Sequence, residues 1–305
     1  MTRKTLQSRA LDDGKAPSGI NISCQPSSLP LRIITFNIRY ATPTPVTGEH
    51  PWTIRCPKLC AQLKFATAGR ESPFICLQEA LHSQVQDVQS HLGSRWSHVG
   101  RGRDEEPTEG EFSPIFYRGD TWRCTRYETK WLSETPDVPS VGWDAVLNRI
   151  VTMGEFQHRT LGTSVIVMST HFDHIGLKAR ENSAKLIIKL AAEWSRAATS
   201  KPSAVLLGGD FNSSPEDAAY QTMVAKGSGM SDISDLEAEA QHYGNHLTYT
   251  SFGEPGETPK RIDFLFIQEP RTASIETFGV LANSFDDNVR VSDHRAVVAD
   301  MVIQA

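Results

Sequence analysis

AVLLGGDFN, residues 204–212, decides how this chain is read. The apolar run 204–208 predicts a strand. At its exit stand an acid, Asp210, and an amide, Asn212, and the Gly208-Gly209 pair lets backbone approach closely beside the acid. The Asp-x-Asn spacing puts both polar side chains on one face of an extended segment, around a single phosphate. Other apolar runs carry a polar residue in the same way. The run 32–36 ends in Asn37, 74–78 ends in Glu79, 164–170 ends in His171, and Asp263 interrupts 261–267. Taken singly, these are turn formers, helix-start acids or structural histidines. Together they are hard to explain by packing, because burying an unpaired charge is costly. Asp263 needs a donor, and Ser292-Asp293-His294 supplies an imidazole whose tautomer that carboxylate would fix. Carboxylates, amides and imidazoles at strand exits form the inventory for holding a divalent cation at a phosphate ester.

The rest of the chain sets limits on that reading. With 39% hydrophobic and 22% charged residues, the 305-residue chain has the composition of a globular protein. The net charge of −5 disfavours non-specific binding to duplex nucleic acid. Predicted strands are 32–38, 74–78, 115–118, 164–170, 204–208, 261–267 and 296–302. Predicted helices are 81–92 and 178–197; in the second, Ala184, Ile187, Ala191 and Trp194 form one apolar stripe. Residues 1–29, rich in Ser, Pro, Gly and charge, read as a flexible leader, and 30–305 as one domain, since the polar residues of interest run from Asn37 to His294. Residues 100–113 and 131–149 read as polar and ordered surface loops. No run approaches the ~18 apolar residues of a membrane span, and the N-terminus has no apolar signal core. Five cysteines without paired CxxC units suggest free thiols in a reducing compartment. The chain is therefore expected to be intracellular, in the cytoplasm. The glycosylation sequon at Asn212, inside the presumed site, points the same way.

The ordered set TFN (35–37), LQE (77–79), STHF (169–172), GGDFN (208–212), RIDF (261–264) and SDH (292–294) resembles the endonuclease/exonuclease/phosphatase superfamily, the DNase I-like metal-dependent phosphoesterases. The resemblance spans about residues 31 to 303. It implies an α/β (α+β) fold: a four-layer α/β/β/α sandwich of two packed mixed sheets, with the active site at one edge. It further implies Mg2+, with Mn2+ as an alternative, near Glu79, Asn37 and Asp293. Asp210 would orient or deprotonate the attacking water, Asn212 would contact phosphoryl oxygens, and His171 and His294 would stabilise the transition state. Asp263 would orient His294. Family members pair the first histidine with a glutamate, for which Glu111 in GEFSPIFYR (110–118) is the candidate. Arg39, Arg101, Arg149 and Arg180 are read as phosphate contacts or as ordinary surface arginines, and Trp131 and Trp143 as surfaces for stacking a base.

The function expected on this basis is Mg2+-dependent hydrolysis of a phosphomonoester or phosphodiester, on a phosphorylated small molecule or nucleotide in preference to a long polynucleotide. The alternatives are a nuclease acting on single-stranded nucleic acid and an inactive member serving as an interaction module. Decay at Glu79, Asp210, Asn212 or His294 would mark the latter, and none has decayed. No protein partner is implied.

Overall fold

The computed structural model describes residues 28–236, 242–269 and 273–304. Its first part runs β1 (Ser28–Asn37), α1 (Trp52–Thr67), β2 (Pro73–Gln78), α2 (His82–Leu92), β3 (Trp96–Val99), β4 (Ile115–Arg118), β5 (Trp122–Trp131) and β6 (Ile150–His158). There follow β7 (Ser164–His171), α3 (Leu177–Ala197), β8 (Ala204–Asp210), α4 (Ala218–Val224), β9 (Met230–Asp232), β10 (His242–Gly244), β11 (Asp263–Gln268), β12 (Ser274–Val280) and β13 (Val297–Gln304). These strands form two sheets, ordered β10-β12-β13-β1-β2-β4-β3 and β5-β6-β7-β8-β11-β9. Both are mixed. β1 runs parallel to β2 and β7 to β8, whereas β13 and β11 lie antiparallel to β1 and β8.

Alternation along the central strands sets the layers. Leu31, Ile33, Phe74, Cys76, Val165, Val167, Leu206 and Leu265 share one buried core between the sheets. The intervening residues point outward onto helices. Ile34, Phe36 and Ile75 pack with Cys56, Leu59 and Leu63 of α1 and Val85 of α2. Ile166, Met168, Leu207 and Phe264 pack with Ala184, Ile187 and Ala191 of α3. The layers are therefore helix, sheet, sheet, helix, as the motifs implied. Strands covered on both faces mostly read as near-continuous apolar runs and were legible, but β6, whose sequence IVTMGEFQH is broken by Gly154, Glu155 and Gln157, was not anticipated.

Several elements differ from expectation. Ser28 and Leu29, read as leader, instead pair with Gln304 and Ile303 of β13; residues 1–27 lie outside the described residues. Pro30 is tolerated there because β2 joins β1 only from Arg32 onward, so its missing N–H interrupts no second ladder. Helix α1 was not anticipated. Cys56, Leu59, Cys60 and Leu63 have helical spacing, but Pro57 among them reads as a breaker. Strand β5 is an edge strand with an exposed face, so its sequence WRCTRYETKW lacks an apolar run. Cys56, Cys60, Cys76 and Cys124 are free thiols; Cys24 lies outside the described residues. Among the described residues, no helix is long and apolar enough to cross a membrane.

At the end of the sandwich carrying the start of β1, Arg32 and Asp300 face each other across β1 and β13. Arg32 Nε and Nη2 donate to Asp300 Oδ1 and Oδ2 at 2.7 and 2.6 Å. Burial pushes this carboxyl upward, but the Arg32 guanidinium, helped by Arg70 and Thr277, brings it below its usual range. A depressed carboxyl contributes stability above its unfolded value of about 3.9, and loses it as pH falls through the folded value. Asp300→Asn is therefore expected to cost roughly 2–3 kcal/mol at neutral pH, a deficit that narrows in acid. Urea unfolding at neutral and acidic pH checks this, and a deficit independent of pH would count against it.

Candidate active site

The parity that fills the inter-sheet core also assembles the site. Asn37 continues the inward-facing set of β1, His171 that of β7 and Asp210 that of β8, while Asp263 begins that of β11. His171 and Asp263 are the register partners of Asp210 on its two sides. At this one edge the layer between the sheets turns from apolar to polar. Beneath it, Thr35 Oγ1 donates to Gln78 Oε1 at 3.3 Å, and Gln78 Nε2 to Ser169 Oγ at 3.4 Å. Gly208 allows the sheets to close here: a Cβ on it would lie 3.0 Å from Thr35 Cβ and 3.2 Å from Cys76 Cβ. Just past the strand ends, Arg39, Glu79 and Asn212 have φ of 57°, 60° and 46°. That left-handed backbone is uncommon for such residues and is held where surrounding structure over-determines it.

Asn37 is fully buried. Its Nδ2 donates to Glu79 Oε1 and to Asp210 Oδ2, both at 2.9 Å, and its Oδ1 accepts the Arg39 N–H at 2.9 Å. Expected beside the cation, Asn37 braces two carboxylates of the site from beneath. Burial would raise the Glu79 carboxyl, but Asn37 donation and the Arg39 charge bring it below its usual range. Asp210 also accepts the Asn212 N–H at 2.8 Å. Burial, then the neighbouring Asp263, pushes Asp210 up to about 7. Asp293 is likewise raised, chiefly by burial, with Glu79 adding to it against the pull of His294.

The two imidazoles differ in kind. His294 Nδ1 lies 2.8 Å from Asp263 Oδ2, and its Nε2 lies 3.7 Å from Asp210 Oδ2. Burial alone would lower its pKa, yet Asp263 and Asp210 raise it well above the ordinary value, so of the two rings this is the one that favours the charged form. His171 is held well below the ordinary value by burial and by the Arg149 charge. Arg149 Nη1 lies 3.1 Å from His171 Nδ1, and a guanidinium can only donate, so Nδ1 accepts there, while the second ring nitrogen, Nε2, faces both an acceptor and a donor. That nitrogen is 3.4 Å from Asp210 Oδ2. Asn212 Nδ2, which donates to the Phe172 carbonyl at 3.0 Å, touches the same nitrogen at 3.0 Å.

These groups open into a cleft of about 740 Å³, lined among others by Glu79, His171, Asp210, Asn212, Asp293 and His294. Arg39, Arg149 and Glu111 also line it. Glu111 does not bond His171 directly, however. Its Oε2 stands 3.8 Å from His171 Nδ1 and accepts from Arg103 at 2.7 Å, because the Arg149 guanidinium occupies the position at the ring. Burial and the Glu79 charge push Glu111 up to about 7.

Four expected contacts are not brought to the cleft. Trp143 is half-buried on a left-handed turn whose N–H donates to Glu134. Trp131 is buried with Nε1 on the Arg103 carbonyl. Arg101 lies over the Trp131 ring, and Arg180 donates to the Asp173 carbonyl. Conversely, Arg103, His174, Tyr249 and Lys260 line the cleft and were missed. His174 had a signal, three residues after His171 in STHFDH; the other three sit in loops without one.

Glu79, His171 and Asp210 offer ligand atoms within 4.8 Å of one another. With Asp293 they make an oxygen-rich set in which two buried carboxyls resist ionising, and a hard divalent cation would relieve that excess of negative charge. The residues present therefore fit such a cation.

A family model described as Endonuclease/Exonuclease/phosphatase family matches residues 34–294. Among solved structures, an endonuclease/exonuclease/phosphatase from Bacteroides vulgatus is 32% identical, covering 90% of this chain and 98% of that one, with a TM-score of 0.79. A mannosyl-6-phosphatase from Bacteroides thetaiotaomicron VPI-5482 is 30% identical over 89% of this chain and 99% of its own, with a TM-score of 0.77. D. rerio TDP2, solved with a single-strand DNA product, covers 89% of this chain and 98% of its own and shares the fold at 16% identity and a TM-score of 0.67. A curated relative, the uncharacterized protein L388 of Acanthamoeba polyphaga mimivirus, is 34% identical over 86 residues; the match spans 27% of this chain and only 30% of that protein's length.

Proposed function

The chain belongs to the Endonuclease/Exonuclease/phosphatase family of phosphoester-hydrolysing enzymes, and from that premise we propose a Mg2+-dependent phosphomonoesterase acting on a small phosphorylated metabolite, a sugar phosphate first among them. The observation that carries this reading is the convergence of Glu79, Asp210, His171 and His294 on one cleft. Glu79 and Asp293 would hold the cation, which when bound neutralises phosphoryl charge and polarises the phosphorus centre. Asp210 takes the proton of the attacking water: it is buried, already accepts two hydrogen bonds, and is pushed up to about 7, near the operating pH of a general base. His171 supports the reaction as a neutral imidazole, and His294 as a fixed positive charge. Asn212 adds an amide donor beside them.

Substrate size and charge favour the monoester. The cleft volume of about 740 Å³ suits a small ligand. Its cations are largely spoken for: Arg39 faces Glu79 and Glu49, Arg103 faces Glu111, and Arg149 serves His171 and His174. That arrangement makes no basic track for a polynucleotide among the described residues. The likeness to the mannosyl-6-phosphatase supports a phosphorylated sugar. The test is a panel of sugar 6-phosphates, nucleoside monophosphates, a phosphodiester and a single-stranded oligonucleotide, each with Mg2+ and with Mn2+. A sugar monoester is expected to exceed the oligonucleotide in kcat/KM by at least about tenfold. Fastest turnover of the oligonucleotide would favour the nuclease reading, and turnover of none would sink both.

A further inference from the structure

On the helical face away from the cleft, we infer a second metal site, for a thiophilic divalent cation such as Zn2+, formed by Cys56 and Cys60 of α1 with His91 of α2. One ligand atom from each of the three residues lies within 4.8 Å of the others. The two sulfurs are 4.0 Å apart. That separation is about twice a disulfide bond and close to the edge of a tetrahedron built on Zn–S bonds of about 2.3 Å. Cys56 and Cys60 are one turn apart on α1, so both thiols face α2 from the same side.

The surroundings suit a cation. Asp87, one turn before His91 on α2, brings its negative charge close to both thiols. It is anchored by accepting the Trp52 Nε1–H at 2.8 Å through Oδ2. Binding would displace both thiol protons to solvent, giving one divalent ion, two thiolates and a neutral imidazole. That sum is electrically neutral, as a partly buried site requires. Cys56 and Cys60 are buried and His91 is exposed, so a cation would enter from the His91 side. Sulfur ligands separate this site from the oxygen-rich cleft in the ions they select.

The site would staple α1 to α2. Arg55 of α1 donates to the Ile38 and Arg39 carbonyls, and Gln84 of α2 bonds the Leu81 and Ala41 N–H groups. The two helices thus support the segments that carry Arg39 and Glu79.

Titration of the full chain with Cd2+, in the presence of Mg2+, tests this through the thiolate-to-cadmium charge-transfer band in the ultraviolet. A band saturating at one ion per chain is expected. It should vanish in Cys56→Ala/Cys60→Ala, and His91→Ala should need at least about tenfold more Cd2+ to reach half saturation. A band that persists in the double variant, carried by Cys76 or Cys124, the other free thiols among the described residues, would overturn the assignment. Should the double variant fail to fold, His91→Ala alone decides, because His91 is exposed and lies outside the cleft. No band in the native chain, or a titration that His91→Ala leaves unchanged, would also overturn the site. Neither result bears on hydrolysis at the cleft, which the substrate panel reads separately.

Discussion

Asp210→Asn is expected to lower kcat for phosphoester hydrolysis by about 10³-fold or more, since general-base catalysis alone contributes about 10²–10⁴. The same change should leave thermal stability equal or improved. A carboxyl raised to about 7 in the fold resists ionisation there, so its charge destabilises the native state above that pH. The amide removes that charge. It also turns a donor toward Asn37 Nδ2, which takes back part of the gain. Melting measured with a chelator present, beside steady-state kinetics with Mg2+, separates the two effects. A variant within tenfold of native kcat would remove Asp210 from the role of base. A large loss of stability would instead mean that the residue holds the fold together.

Asp263→Asn is expected to cost about 10²–10⁴ in kcat, because it frees the His294 ring and withdraws the charge that keeps it protonated. The sign of the pH effect follows. Asp263 raises the His294 pKa, so the imidazolium persists to higher pH in the native chain than in the variant. The alkaline limb of the kcat profile should therefore move to lower pH. Asp263 does not line the cleft, so KM should change little. Adding His294→Ala to Asp263→Asn should cost much less than the two single losses combined, since the pair acts as a unit. An unmoved alkaline limb, or fully additive losses, would mean that Asp263 acts elsewhere.

What could be read in advance, and what could not, follows from one physical difference. Residues on doubly covered strands reveal themselves because a polar side chain in an apolar run has no bland explanation; Asn37, His171, Asp210 and Asp263 are all of this kind. Glu79 and His294 stand just past or before such runs. Loop residues carry no such contrast. Arg103, Tyr249 and Lys260 reach the cleft through chain paths that local sequence does not encode. Glu111 was placed near His171 by resemblance, but Arg149 occupies the ring's Nδ1 side, which changes that histidine from a partner of a carboxylate into a partner of a guanidinium. Trp143 shows the converse error: an aromatic in a loop invites a stacking role, yet its turn holds it outside the cleft.

The most direct test of convergence is Mn2+ binding followed by electron paramagnetic resonance on the native chain, Glu79→Gln and Trp143→Ala. Native protein should bind Mn2+ in competition with Mg2+, Glu79→Gln should weaken binding by at least about tenfold, and Trp143→Ala should match native. Equal Mn2+ affinity in native and Glu79→Gln would contradict a cation held where β1, β2 and β8 end.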